Sequence, residues 1–367
     1  MNKNNIKIFD LTKQYKKIKN EINSSIKNVL ESGQYILGHN VKRFENRFAK
    51  DLGSKYAVTC NSGTDALLLS LMCLNIKKGD EVITSPFTYF ATAEVISLCG
   101  AKPVFVDIDS KTFNIDPEKI SNAITNKTKA IIVVHLFGQP ANIIKINKIC
   151  KKFKIKMIED CAQSIGSKIG SKKTGTFGDF GCFSFFPTKN LGTFGDGGAI
   201  VTSNKKFAEK LLKLRNHGGL VRNEHEYIGL NSRLDELQAA ILNIKLKYLN
   251  LYNTKRNQVA ALYKKLIQNE KIILPHVDIN THHVYNLFTV LVTNRKKFIK
   301  YLNKNKIPYG IYYPKPLYKQ KSLKNICSQK ILPIVEKISK QCLSLPMYPE
   351  LDLESIKYIS KTINKYK

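Results

Sequence analysis

The chain has 367 residues, 43% of them hydrophobic and 24% charged, a mix typical of a water-soluble globular protein with room for one large domain and a smaller companion. Its 60 Lys and Arg against 28 Asp and Glu give a formal charge of +32, which on its face invites a nucleic-acid or anionic-membrane partner. Only seven of the basic residues are Arg (43, 47, 215, 222, 233, 256 and 295), and the 53 Lys are spread from Lys3 to Lys367 among many Ile and Asn. Sites that read bases or fork phosphates favour Arg, so the surplus is expected to be a solvated surface with no specific nucleic-acid partner.

The start, MNKNNIKIFDL, has no apolar signal core, and no run approaches the ~20 apolar residues of a membrane helix, so a cytoplasmic, membrane-free protein is expected. Eight Cys stand at irregular spacings without a C-x-x-C pair, and the His residues form no H-E-x-x-H pair. Reduced, buried thiols and no metal are the expectation.

From Tyr56 onward, short β-rich runs alternate with helical patterns, the signature of βαβ units and a mostly parallel sheet. The predicted strands are Lys55–Cys60, Asp80–Ser85, Lys102–Asp109, Lys129–Phe137, Ile155–Cys161, Cys182–Phe186 and Gly198–Ser203. Helices are predicted over Asp65–Leu74, Phe90–Cys99, Pro117–Ile124, Ile143–Phe153 and Lys205–Arg215. A long helix, Asp235–Ile267, then changes the character of the chain. The tail carries a strand at Asn286–Thr293 and helices at Arg295–Asn305 and Leu353–Ile363. This predicts a large three-layer α/β domain over 1–247, with an N-terminal helical segment, and a smaller α+β domain over 248–367. The segments GTFGDFG (175–181) and GTFGDGG (192–198) echo each other around CFSFF and predict two tight loops at one site.

Candidate chemistry is densest from Ile158 to Thr202. Neither the phosphate-loop spacing nor a G-x-G-x-x-G opening a helix after the first strand is present. What stands out is Lys189, held between Pro187-Thr188 and a Gly-rich turn among Phe183, Phe185, Phe186 and Phe194. Partial desolvation there would lower its pKa and free the amine for a Schiff base. Asp160 ends the strand IKMIEDC, at the carboxyl edge where open α/β sheets bind ligands, with Glu159 on the opposite face. A carboxylate there suits a pyridine nitrogen that must stay protonated; capping the following turn is the plainer use. Ser62, Gly63, Thr64 and Asp65 precede an apolar helix whose free N–H groups suit an anion, a role compatible with simple N-capping. Tyr89 and Phe90 end the next strand, where an aromatic either stacks on a flat heterocycle or joins the core. A phosphate, a pyridine and a carbonyl that condenses with Lys together describe pyridoxal 5′-phosphate (PLP).

The chain resembles the nucleotide-sugar aminotransferases of the DegT/DnrJ/EryC1/StrS family, PLP enzymes of the aspartate-aminotransferase-like fold (fold type I). The resemblance runs through YILGHNVKRFENRFAKDLGSKYAVTCNSGTDALLLSL, GDEVITSPFTYFATAEVISLCGAKPVFVDID, IEDCAQSIG, SFFPTKNLGTFGDGGAIVT, NHG and GLNSRLDELQAAIL. It implies Lys189 as the Schiff-base lysine, Asp160 as partner of the pyridinium nitrogen and Gln163 against the ring near its phenolic oxygen. It implies Gly63, Thr64 and Ser184 on the phosphate, Tyr89 as the stacking aromatic, and Asn231 reaching the phosphate of the neighbouring subunit in a homodimer. Relatives that act as sugar dehydratases have His at the position of Lys189, which favours amine transfer. GIYYPKPLYKQK (310–321) matches the family's G-x-x-Y-P-x-P-L-H-x-Q pattern except for Tyr318 in place of His. Arg233, Tyr312, Tyr313 and Lys315 are candidates for the sugar or its diphosphate, each with a packing role as the plain alternative, and His217 is expected to be structural. The expected reaction moves an amino group from L-glutamate to C3 of a UDP-linked 3-keto sugar such as 3-keto-N-acetylglucosaminuronate, for surface polysaccharide such as O-antigen. C4 amination, PLP-dependent dehydration and a basic regulatory protein that binds nucleic acid are the competing readings.

Overall fold

The computed structural model describes residues 6–327 and 331–367, so the first five residues of the N-terminal stretch read above lie outside it. Seven strands build the main sheet: β1 (Tyr56–Cys60), β2 (Glu81–Thr84), β3 (Lys102–Phe105), β4 (Thr128–Val134), β5 (Lys156–Asp160), β6 (Phe180–Ser184) and β7 (Gly198–Thr202). The first eight helices are α1 (Leu11–Ser32), α2 (His39–Leu52), α3 (Gly63–Cys73), α4 (Ala91–Leu98), α5 (Pro117–Ile120), α6 (Ile143–Phe153), α7 (Lys205–Leu214) and α8 (Glu236–Lys245).

The strand order is β1-β7-β6-β5-β4-β2-β3. Strands β3, β2, β4, β5 and β6 pair in parallel, and β7 alone runs antiparallel to both β6 and β1. Alternating side chains divide the sheet into two covered faces. Ile132 and Ile158 point to one face, with Val58 and Ile200, under α3, α4 and α7. Ile131, Val133 and Met157 point to the other, under α5 and α6, and Phe183, Phe185 and Val201 extend that side beneath α2 and α8. Helix, sheet, helix is the three-layer architecture that the chain's alternation of elements predicts.

Local sequence explains the less obvious joints. Helix α2 begins at Gly38, which has no side chain to cap it. Glu236, in the first turn of α8, supplies the cap from across the chain: its carboxylate accepts the N–H of Asn40 and of Val41, each at 2.9 Å. A buried carboxylate at a helix N-terminus meets both the orphan N–H groups and the macrodipole. Helix α1 is amphipathic, and its Ile18 and Ile22 pack on Ile241 of α8.

The predicted helix Asp235–Ile267 is not continuous. A 3₁₀ turn at Leu246–Tyr248 separates α8 from α9 (Leu249–Leu266). Beyond it, β8 (Ile272–Ile273), β9 (Phe288–Val292) and β10 (Cys342–Leu345) form a small antiparallel sheet in the order β8-β9-β10. Helices α9, α10 (Arg295–Lys304) and α12 (Leu353–Asn364) close a second core on it around Tyr263, Phe288, Phe298 and Ile359. The short strand β10 and the helix α11 (Pro333–Gln341) were not predicted: CLSL and PIVEKISKQ are too short for periodicity to separate them. A third cluster joins the two parts, with Phe87, Phe113 and Phe137 packed edge to face against each other and against Leu317 and Tyr318 of the tail.

The two glycine-rich echoes do not share a site. The first precedes β6 and the second follows it, so the strand's length separates them. Glu159 holds the first, accepting the N–H groups of Gly175, Phe177 and Gly178 at 2.8, 2.7 and 2.8 Å. Lys189 lies between β6 and the second echo.

An aromatic cluster packs beneath α2 and α8. Phe48 stacks on Phe44 at 5.3 Å and meets Phe183 and Phe185 edge to face at 5.1 and 5.4 Å, all four fully buried. Phe48→Ala is expected to lower the unfolding free energy by about 3–5 kcal/mol, read as a shifted midpoint in a urea titration followed by circular dichroism.

Candidate active site

Three strand ends meet at the carboxyl edge of the sheet. After β1, the hydroxyl of Ser62 accepts the Asp65 N–H at 3.0 Å and caps α3. The first-turn N–H groups of Gly63 and Thr64 have no intrahelical acceptor. Ser184, which ends β6, faces this helix start so closely that a Cβ on Gly63 would lie 2.6 Å from the Ser184 Cβ. Glycine at 63 therefore brings exposed backbone donors and a serine hydroxyl together at the positive end of a helix dipole, a ready anion cradle.

Asp160 ends β5 on the same face as α3 and α4, and is 6% exposed. Its Oδ2 accepts the Thr92 hydroxyl at 3.0 Å and its Oδ1 the Ala162 N–H at 3.1 Å. Burial pushes its pKa above the ordinary carboxylate range, against the pull of these two donors, Lys189 and His135. A further cationic N–H brought to this carboxylate would be strongly favoured. Glu159 points to the other face, as strand alternation requires. Ala141 donates its N–H to His135 Nδ1 at 3.0 Å, so the ring proton sits on Nε2 and is donated to Glu159 at 3.0 Å. His135, Glu159 and Cys161 cluster tightly enough to suggest a metal. The backbone donors and the imidazole already occupy the Glu159 oxygens, however, and burial drives the Cys161 thiol pKa well up. The cluster is a structural network.

Lys189 lies in the loop between β6 and β7. Among the described residues its Nζ has no hydrogen bond or ion pair, only the field of Asp160. Burial lowers its pKa from 10.5 to about 8, and Asp160 opposes the drop. Such an amine is neutral in about a tenth of molecules at pH 7, hundreds of times more often than an ordinary lysine.

Gln163 is oriented by the Phe137 N–H, which donates to its Oε1 at 2.7 Å, leaving Nε2 to donate to the Tyr313 hydroxyl at 3.1 Å. The structure thus groups Gly63, Thr64 and Ser184, sets Asp160 against Lys189, and joins Gln163 to Tyr313. Tyr312 packs edge to face on Tyr313. Tyr89 is 64% exposed, and Lys315 and Asn231 are also exposed. Arg233 donates to Asn216 at 3.2 Å, and its neighbour Ser232 donates to Asp65 at 2.6 Å, tying this segment to the start of α3. His217 is exposed. Tyr318 is buried, donates to Glu336 at 2.9 Å and packs on Phe105, which places it in the joint between the two parts of the chain.

Several residues that shape the site were not singled out from the sequence. Thr92 follows Tyr89 by three residues, and nothing in FATAEV marks it. Lys245 is 4% exposed, donates to the Gly192 carbonyl, lies over the Phe194 ring at 5.3 Å and has its pKa lowered to about 8 by burial. It braces the loop that carries Lys189, and among 53 lysines no local pattern distinguishes it.

An anion cradle, a buried carboxylate and an unpartnered low-pKa amine at one sheet edge are what the phosphate, ring nitrogen and aldehyde of PLP require. The class is that of PLP-dependent transferases with the aspartate-aminotransferase-like fold. Residues 16–364 match the DegT/DnrJ/EryC1/StrS aminotransferase family, and the chain belongs to it. The UDP-2-acetamido-2-deoxy-3-oxo-D-glucuronate aminotransferase of Pseudomonas aeruginosa is 44% identical over 354 residues, 96% of this chain and 98% of its own. A pleiotropic regulatory protein of Geobacillus stearothermophilus is 41% identical over 366 residues, 99% and 98% of the two chains. The structure of S. venezuelae DesV superposes with a TM-score of 0.95 at 36% identity, covering 98% of each chain. Other solved structures of this fold hold pyridoxamine phosphate or a PLP–glutamate adduct. The chain is a PLP-dependent aminotransferase.

Gly63→Ala is expected to raise the PLP dissociation constant about tenfold or more without unfolding the chain, measured by absorbance titration. In cofactor-free protein, capture of Lys189 by an aldehyde is expected to rise with pH through about 8. Asp160→Asn removes the charge that holds the ammonium, so the midpoint of that rise moves to lower pH.

Proposed function

We propose that this enzyme transfers the amino group of L-glutamate to C3 of a UDP-linked 3-keto sugar, with 3-keto-N-acetylglucosaminuronate the best candidate, in the cytoplasm and in service of surface polysaccharide such as O-antigen. The observation that carries the amine-transfer half is the pairing of Lys189 with Asp160 at one sheet edge. The sugar half is supported by the 44% identical Pseudomonas relative, whose name specifies a 3-oxo glucuronate.

Bound PLP supplies an electrophilic carbon and an electron sink. Lys189 Nζ would hold the cofactor, and the same amine is the base placed to take a proton from the donor's Cα. Asp160 keeps a proton on the ring nitrogen, and its hydrogen bonds from Thr92 and Ala162 fix the carboxylate in place. Gly63, Thr64 and Ser184 bind the phosphate, and Asn231 of the partner subunit completes that site in a homodimer. Tyr89 would stack on the cofactor ring and Gln163 would bind near its phenolic oxygen. Arg233, Tyr312, Tyr313 and Lys315 take the sugar or its diphosphate. The division of the chain at Lys247 into a cofactor-binding domain and a small domain belongs to the same reading. Lysine rather than histidine at position 189 favours amine transfer over dehydration.

The test is a panel of keto-sugar nucleotides with L-glutamate, read by product mass and NMR. The UDP-linked 3-keto uronate is expected to turn over fastest, giving a C3 amine and one 2-oxoglutarate per product. Asp160→Asn is expected to slow it by at least about a hundredfold. Amination at C4, or deoxygenation without glutamate consumption, contradicts the proposal.

A further inference from the structure

Directly after Lys189, the side chain of Asn190 is buried, 5% exposed, and nearly saturated. Its Nδ2 donates to Asn253 Oδ1 at 2.7 Å and to the Val284 carbonyl at 3.0 Å, and its Oδ1 accepts from Asn286 Nδ2 at 3.0 Å. Asn253, in α9, is 4% exposed and donates its own Nδ2 to the Ile165 carbonyl at 3.1 Å. Ile165 belongs to the turn that follows Asp160 and Gln163. Room for this reach is built into the backbone: Gly166 has φ +85°, and a Cβ there would lie 2.5 Å from Asn253 Nδ2. One amide thus joins the loop after β5 to the loop after β6 from below. Asn286 sits two residues before β9 of the small sheet, so the same network ties both loops to the C-terminal part of the chain.

We propose that Asn190 and Asn253 are positioning residues, an amide clamp that fixes the Lys189 loop relative to the Asp160 turn and transmits the placement of the C-terminal part to the lysine. Neither side chain need touch the cofactor. Hydrogen bonds between buried neutral amides have no competing water, and losing one partner strands the others. The clamp complements Lys245, which holds the far end of the same loop at Gly192.

The inference rests on Lys189 as the lysine that bears the cofactor. Its test compares the holoenzyme with Asn190→Ala, Asn253→Ala and the double variant, with Asn286→Ala as a milder probe judged by the same criteria if the others fail to fold. Hydrogen–deuterium exchange at 186–196 is expected to quicken at least about fivefold in each single variant, while α12 keeps its wild-type protection. The pH midpoint of the lysine-bound cofactor's absorbance is expected to shift, and the double variant to fall short of the sum of the two singles, because both remove the shared Asn190–Asn253 bond. Wild-type exchange at 186–196 with an unmoved midpoint overturns the clamp, as does loosening spread evenly over the chain or simple addition of the two effects. A colourless wild-type protein would instead sink the reading of Lys189, since the exchange measurement is read whatever the chain binds.

Discussion

Everything at this site turns on a desolvated carboxylate facing a desolvated amine. Asp160 and Lys189 are each driven by burial toward their neutral forms, and each is drawn back by the field of the other. Neither is neutralised by a close ion pair, unlike Arg215 with Glu45 nearby. The remaining elements serve that balance. Thr92 and Ala162 hold the carboxylate oxygens, Gln163 is fixed between the Phe137 N–H and the Tyr313 hydroxyl, and the helix start at Gly63 offers its donors to an anion. A site arranged this way is poised for a ligand that is anionic at one end and basic at its ring.

The sheet makes the arrangement possible. Because β5 is parallel to β4 and β6, its carboxyl end opens beside those of β1, β2 and β6, and alternation sends Asp160 to the α3 side while Glu159 goes to the other. The two adjacent carboxylates therefore have unrelated duties. Glu159 is consumed in holding a loop and an imidazole. Asp160 is left to face Lys189. The antiparallel β7 returns the chain so that the loop with Lys189 closes over the end of β6.

Much of this was legible in the sequence because it depends on local pattern. Alternating apolar runs located the seven strands, the Ser-Gly-Thr-Asp tract located the helix start, and Lys189 was conspicuous for its neighbours. What stayed hidden depends on contacts between distant segments. Glu236 capping α2, Asn253 bridging two loops and Lys245 bracing Gly192 are joined to partners 53 to 196 residues away. The paired glycine-rich echoes misled for the same reason, since similar strings at opposite ends of one strand serve different neighbours. Tyr318 is buried against Glu336 and Phe105, where its ring fills the joint between the two parts of the chain. What separates Lys189 from 52 other lysines is its desolvation and its neighbour.

The most direct measurement is the mass of the chain after incubation with PLP and reduction with borohydride, followed by peptide mapping. The account predicts one reduced phosphopyridoxyl group per chain, on the peptide containing Lys189, and none in Lys189→Ala. Stoichiometric labelling at another lysine, or undiminished labelling in Lys189→Ala, would contradict it.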